Sequence, residues 1–154
     1  MRLTIIAVGR LKERYWRDAA DEYLKRLGPY ATVRVAEVDD RDSGRDEARA
    51  LAEEGADVVR AIPDGAHVIA LEIGGKQLSS EAFAARLSAL ALDGRSNVAF
   101  AIGGSVGLSG EVLARADERM SLGPMTLPHN LARVVLLEQI YRAFRINRGE
   151  PYHK

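Results

Sequence analysis

Short apolar runs alternate with amphipathic stretches along most of the chain. Residues 3–8 form the first run, which Gly9 closes, and such a run is typical of a strand buried on both faces. The same pattern predicts further strands at 32–38, 66–73, 97–102 and, more weakly, 119–122. Helical spacing of apolar residues, together with capping residues and prolines, predicts helices at 12–27, 46–62, 80–92, 109–116 and 128–146.

The regular alternation of strands and helices defines the expected fold class. It predicts an α/β protein with a mostly parallel sheet flanked by helices. A chain of 154 residues without an internal repeat or linker fits a single domain spanning 1–154. In such sheets, ligands bind beyond the carboxyl ends of the strands, so the loops there are the first place to look for chemistry.

Two of those loops are rich in glycine. The Gly103–Gly107 loop lacks the dinucleotide-binding fingerprint, because Ile102 stands where its first glycine would be. Two interpretations of this loop stay open: a tight turn, or the floor of a pocket for another small ligand. The Gly74-Gly75-Lys76 segment is not a phosphate-binding loop, since Gln77 replaces the required Ser or Thr. A plain turn that ends the third strand is expected there.

The last predicted helix is apolar on more than one face, so it should be buried on more than one side. A second subunit would provide that cover. Arg133 and Arg142 are nine residues apart and therefore project to opposite sides of the helix. They can hardly serve one pocket of one chain, but in a symmetric dimer each could serve a different site. Glu138 and Arg142 are spaced as an i,i+4 ion pair, which can be simple helix support.

Charge and composition narrow the choice of partner. The formal net charge is zero, yet from Pro128 onward five Lys/Arg face two Glu. This local excess favours a confined anionic partner.

The chain has no cysteine, and neither His129 nor His153 has neighbours at metal-ligand spacing, so no metal site is expected. His129 can equally be an ordinary polar residue of a first helical turn. No apolar run is long enough to cross a membrane and no signal peptide is evident, so a cytoplasmic protein is expected.

Several segments together carry a family resemblance. They include the 3–9 strand, Leu71-Glu72-Ile73 and Ile102-Gly103-Gly104; the most specific are Thr126-Leu127-Pro128-His129, the 138–143 segment and the final Pro151-Tyr152-His153-Lys154. In these the chain resembles the RlmH family of SPOUT methyltransferases, which methylate a pseudouridine of large-subunit (23S) ribosomal RNA. The resemblance covers nearly the whole chain.

The resemblance implies a C-terminal trefoil knot, a homodimer, and S-adenosyl-L-methionine (SAM) bound in the knot. It implies methyl transfer to N3 of pseudouridine, with a tail supplied by the partner subunit. The implied cofactor-binding residues are Leu71, Gly103, Gly104, Ser121, Leu122, Gly123, Pro124, Met125 and Thr126. The implied catalytic residues are His129, Arg133, Arg142, Tyr152 and His153. An RNA-binding or nucleotide-binding α/β module without methyl transfer stays open as the alternative.

Overall fold

A computed structural model describes residues 1–41, 44 and 46–153. Lys154, the last residue of the expected tail motif, lies outside the described residues. The strands are β1 (Arg2–Val8), β2 (Thr32–Val38), β3 (His67–Gln77), β4 (Asn97–Ile102) and β5 (Glu118–Ser121). The helices are α1 (Arg14–Leu27), α2 (Glu47–Ala61), α3 (Ser80–Leu92), α4 (Gly110–Arg115) and α5 (His129–Asn147).

The five strands form one parallel sheet in the order β2-β1-β4-β3-β5. Residues of β1 alternate between two cores, because successive side chains of a strand point to opposite faces. Leu3 and Ile5 pack in the core under α1, α3 and α5, whereas Ile6 and Val8 pack in the core under α2 and α4. The predicted α/β class, with a parallel sheet covered by helices on both sides, is confirmed.

Capping residues fix where several helices begin. Asp46, Ser79 and Ser109 each accept a hydrogen bond from a backbone N–H in the first turn of the helix they precede. Two predicted boundaries differ from the structure by two residues or more. The first helix begins at Arg14, two residues later than its pattern indicates.

The third strand is the larger difference, since it continues to Gln77 instead of ending before Gly74. Both Leu71 and Lys76 pair with Met120 of β5, so residues 72–75 make an excursion between the two pairings. Gly75 permits this, because a Cβ atom built on it would lie only 2.7 Å from the Met120 backbone nitrogen. The prediction of a plain turn at Gly74-Gly75-Lys76 was therefore wrong.

The third strand begins with a buried histidine, His67. It is buried at the start of β3, with Nε2 2.7 Å from Glu118 Oε1. The pair lies at the amino ends of the strands, far from the loops where ligands of such sheets bind. No helix within the described ranges is long and apolar enough to cross a membrane.

Candidate active site

A cleft of about 750 Å³ opens at the carboxyl ends of the neighbouring strands β3, β4 and β5. We call it the glycine-lined cleft, because the Gly103–Gly107 loop forms one of its walls. Eight of the nine residues named for the cofactor line it; Pro124 alone is not among them. The eight are Leu71, Gly103, Gly104, Ser121, Leu122, Gly123, Met125 and Thr126.

The Gly103–Gly107 loop is both of the things its sequence allowed, a tight turn and a pocket wall. The Gly107 N–H donates to the Gly104 carbonyl at 3.1 Å, and Gly107 has a φ of +80°. Gly103 is confined by this turn, since a Cβ atom on it would lie 2.4 Å from the carbonyl carbon and oxygen of Gly107. At its three glycines the loop therefore presents bare backbone to the cleft, which suits close approach of a ligand.

Ser121 organises the opposite wall. Its hydroxyl accepts a hydrogen bond from the Gly123 N–H (3.1 Å) and donates to the Gly123 carbonyl (2.9 Å). This local pairing turns the chain directly after β5, where Gly123 has a φ of +130°. Beyond the turn, the Met125 side chain is 82% exposed at the cleft. An exposed thioether beside an apolar wall is available to cover a bound ligand.

His129 is the one proposed catalytic residue that lines this cleft. It is the first residue of α5 and also lines a second hollow, at the carboxyl ends of β1 and β2. Arg142 lies 13 residues further along the same helix, a distance of about 20 Å at 1.5 Å per residue. Within one chain, therefore, His129 and Arg142 stand at opposite ends of α5.

Arg142, Tyr152 and His153 form a cluster of their own at that far end. Glu138 Oε1 accepts from Arg142 Nε (3.0 Å) and from the Tyr152 hydroxyl (3.2 Å). The Tyr152 ring packs edge-on against Tyr141, with 4.9 Å between ring centroids. Burial, followed by the negative charge of Glu138, raises the pKa of Tyr152 to about 12. The phenol is therefore a hydrogen-bond donor at neutral pH.

His153 is held from both ring nitrogens. Arg142 Nη1 is 3.1 Å from Nδ1, and Glu81 Oε1 is 2.6 Å from Nε2. Because an arginine only donates and a carboxylate accepts, a neutral imidazole protonated at Nε2 satisfies both contacts. The end of the chain is thus fastened to α5 and to the first turn of α3. The sequence offered no sign of Glu81, which is 72 positions away from His153.

Arg133 occupies a third location. Its side chain is 4% exposed, and Nη1 donates to Glu37 Oε2 at 2.6 Å while Nη2 donates to the Gly9 carbonyl at 2.9 Å. Arg133 and Arg142 thus reach separate parts of the chain, as their nine-residue spacing predicts. The guanidinium of Arg133 does not enter the glycine-lined cleft; it ties α5 to the ends of β1 and β2.

The described residues contain no group of three or more His, Cys, Asp or Glu side chains placed to hold a metal ion. The polar side chains that line the cleft are those of Glu72, Ser105, Ser121, Thr126 and His129, beside the backbone of the glycine loop. Such a donor set suits an uncharged or singly charged organic ligand.

Comparison with known proteins defines the class. The family described as "Predicted SPOUT methyltransferase" matches residues 1–153, and the chain belongs to that family. Among curated proteins, the chain is 55% identical to "Ribosomal RNA large subunit methyltransferase H" of Bacillus thuringiensis (strain Al Hakam), with 100% of both chains covered. The protein of the same name from Listeria monocytogenes serotype 4a (strain HCC23) shows the same identity and coverage. The resemblance inferred from the sequence motifs is confirmed.

Solved structures agree on the fold. A probable methylase family protein from Haemophilus influenzae Rd KW20 has a TM-score of 0.58 at 15% identity, covering 96% of this chain and 66% of that one. TrmJ from Z. mobilis ZM4 has a TM-score of 0.56 at 17% identity, covering 100% of this chain and 73% of the other. At these identities the likeness concerns the fold alone.

Proposed function

We propose that this protein is a SAM-dependent methyltransferase that modifies N3 of a pseudouridine in large-subunit ribosomal RNA. Family membership and the name carried by relatives 55% identical over their full length support this activity. The observation that carries it is geometric: residues 50 positions apart, at the ends of three neighbouring strands, meet in a single cleft of suitable size. Ribosomal RNA is the proposed anionic partner, in the cytoplasm where ribosomes are found.

The glycine-lined cleft fits a nucleoside cofactor. Leu71, Leu122 and Met125 provide apolar walls, and the backbone of Gly103 and Gly104 lines the cleft, where it can approach a ligand closely. SAM, when bound, supplies a methyl group on a positively charged sulfur. The task left to the chain is to hold that group in line with the acceptor nitrogen at near-attack distance.

A complete site requires two chains. The cleft of one chain contains His129, whereas Arg142, Tyr152 and His153 lie about 20 Å away at the other end of α5. A twofold axis that places two α5 helices side by side would bring the tail of one chain to the cleft of the other. The tail is already braced by Glu138, Tyr141 and Glu81, so it would meet the partner as a preformed surface.

The chemistry assigned to these residues follows from their charges. Methyl transfer to an imide nitrogen moves negative charge onto the adjacent carbonyl oxygens as the proton leaves. The Arg142 guanidinium, whose pKa is raised by its hydrogen bond to Glu138, remains cationic and would stabilise that charge. Tyr152 would donate a hydrogen bond to the base, and His153 would orient it. Arg133 would act indirectly, by holding α5 against Gly9.

The trefoil knot remains part of the proposal. The resemblance of the sequence motifs implies this knot, and the chain belongs to the matched SPOUT family.

The proposal is tested with purified protein, SAM, and ribosomes from cells that lack this protein. Mass spectrometry of the large-subunit RNA should show a gain of one methyl group at a pseudouridine, and calorimetry should show one SAM bound per chain. Binding of RNA without any affinity for SAM would instead favour the non-catalytic alternative.

A further inference from the structure

A second hollow, of about 790 Å³, lies beside the glycine-lined cleft at the carboxyl ends of β1 and β2. We call it the β1–β2 hollow; its lining includes Gly9, Lys12, Asp40, His129 and Asn130. His129 lines both spaces, so the two meet at the start of α5. None of the residues named for the cofactor lines this hollow.

Asp40 stands at the boundary between the hollow and the cleft. A Cβ atom built on Gly9 would lie 3.9 Å from both Asp40 Oδ2 and His129 Cε1. A Cβ atom built on Gly104, a residue of the cleft wall, would lie 3.7 Å from Asp40 Oδ1. One oxygen of the carboxylate therefore faces Gly9 and the other faces the glycine loop.

A buried acid stands behind Asp40. Glu54 is 2% exposed, and its Oε2 accepts the Arg41 N–H at 2.8 Å. Its Oε1 has no hydrogen-bond donor among the described residues. Burial raises the pKa of Glu54, and Asp40 raises it further. Glu54 and Asp40 thus share a hydrogen bond, and the protonated form of Glu54 is the form that can donate it to the Asp40 carboxylate.

Glu13, Glu37 and Asp39 are the other acids that line the hollow. Glu37 is held by the buried Arg133 guanidinium, which also binds the Gly9 carbonyl and so fixes the floor of the hollow. Tyr152, with a pKa of about 12, already carries its proton and cannot serve as the base at neutral pH. The Asp40 carboxylate is the acid of this lining that lies beside both Gly9 and Gly104 in the structure.

We propose that the β1–β2 hollow receives the acceptor base and that Asp40 takes the imide proton during methyl transfer. This inference rests on the proposed function. It adds the subsite for the acceptor base and the group that accepts the proton, neither of which the proposed function specifies. The acceptor nitrogen forms a bond to the methyl carbon, and the carbon–sulfur electron pair stays on sulfur. The N–H electron pair stays on nitrogen, and the proton passes to an Asp40 oxygen. Lys12, on the rim, is placed for the phosphate that follows the base.

The test compares Asp40→Asn, which keeps size and polarity, with Asp64→Asn in the exposed turn before β3. For Asp40→Asn we expect kcat to fall by about 100-fold or more, the range of general-base catalysis, with RNA KM and SAM affinity within threefold of the parent. Asp64→Asn should match the parent in all three quantities. Methyl transfer by Asp40→Ala should be partly restored by added formate, which can occupy the vacated space and accept the proton.

Three results would overturn the inference. They are an Asp40→Asn enzyme with kcat within threefold of the parent, loss of SAM binding in that variant, and failure of formate to restore any activity to Asp40→Ala. If the parent protein itself transfers no methyl group to ribosomal RNA, the proposed function fails instead, so the two failures are distinguished by the parent measurement.

Discussion

The guanidinium carbon of Arg142 lies 4.7 Å from the ring centroid of Tyr152, and both side chains donate to the same oxygen of Glu138. This arrangement combines a cation–π contact with two charge-assisted hydrogen bonds. It couples the end of the chain to the last turns of α5, so the tail is ordered by the residues with which we propose it acts.

Glu138→Gln should loosen this cluster. The charge that raises the pKa of Tyr152 would be lost while its burial remained, so the pKa should move down from about 12 toward its ordinary value. Ultraviolet titration of tyrosinate, with Tyr152→Phe as the reference for the other tyrosines, measures this shift. Methyl transfer should also fall by about tenfold with SAM affinity unchanged, since one orienting contact has weakened. An unaltered Tyr152 pKa would show that Glu138 does not act on it.

Gly103→Ala should disrupt the cleft. The new Cβ atom would lie 2.4 Å from the Gly107 backbone, so the turn from Gly104 to Gly107 must shift. We expect SAM affinity to drop by at least about tenfold, or about 1.4 kcal/mol, in calorimetry. The matched control is Gly110→Ala in α4, where nothing lies within 4 Å of the added carbon. That variant should bind SAM normally and be slightly more stable.

Arg133→Met should lower the free energy of unfolding, because Arg133 holds α5 in place and does not itself line the glycine-lined cleft. It removes a buried guanidinium that binds Glu37 and the Gly9 carbonyl, and Glu37 can still reach water. We expect a loss of about 1–3 kcal/mol in the free energy of unfolding, measured in urea. Arg34→Met, on the exposed part of β2, should change it by less than about 0.5 kcal/mol. Equal effects of the two substitutions would argue against a structural role for Arg133.

Glu118 should make stability depend on pH at the opposite end of the sheet. Burial opposes its ionisation, but hydrogen bonds from Arg86 and His67 outweigh burial and hold the pKa below its usual value. A carboxyl with a lowered folded-state pKa stabilises the protein above its unfolded-state pKa, and this contribution is lost as the pH falls through the folded value. Glu118→Gln should therefore be less stable than the parent at pH 7. The difference should shrink toward pH 3, and a constant difference would contradict this assignment.

The sequence predicted the regular strands and helices of the fold better than the irregular excursion within β3. Continuous apolar runs such as 3–8 and 97–102 predict parallel strands, because a strand that is covered on both faces has apolar side chains on both sides. The sequence did not reveal that β3 continues through Gly74 and Gly75, because two glycines ordinarily indicate a turn. The strand that Gly75 accommodates contains Met120, which is 45 positions away in the sequence. Local patterns carry no information on such a contact.

In the candidate site, too, some features were predictable from the sequence and others were not. Motif resemblance pointed to residues that line one cleft, and helical spacing separated Arg133 from Arg142. The groups that fasten these side chains were not predictable, because Glu37 and Glu81 lie on other elements and are joined to Arg133 and His153 only by folding. Asp40 and Glu54 were missed for the same reason: Asp40 follows β2 and Glu54 lies in α2, and only folding brings them together.

The central claim is that each site joins the cleft of one chain to the tail of another. Its most direct test mixes His129→Ala chains with His153→Ala chains after unfolding and refolding them together. Each variant alone should be inactive. In a mixed dimer, one site would carry both defects and the other neither, so random mixing should restore about one quarter of the parent's methyl transfer. A mixture as inactive as its two components would contradict the claim, because it would place both histidines in a site formed by a single chain.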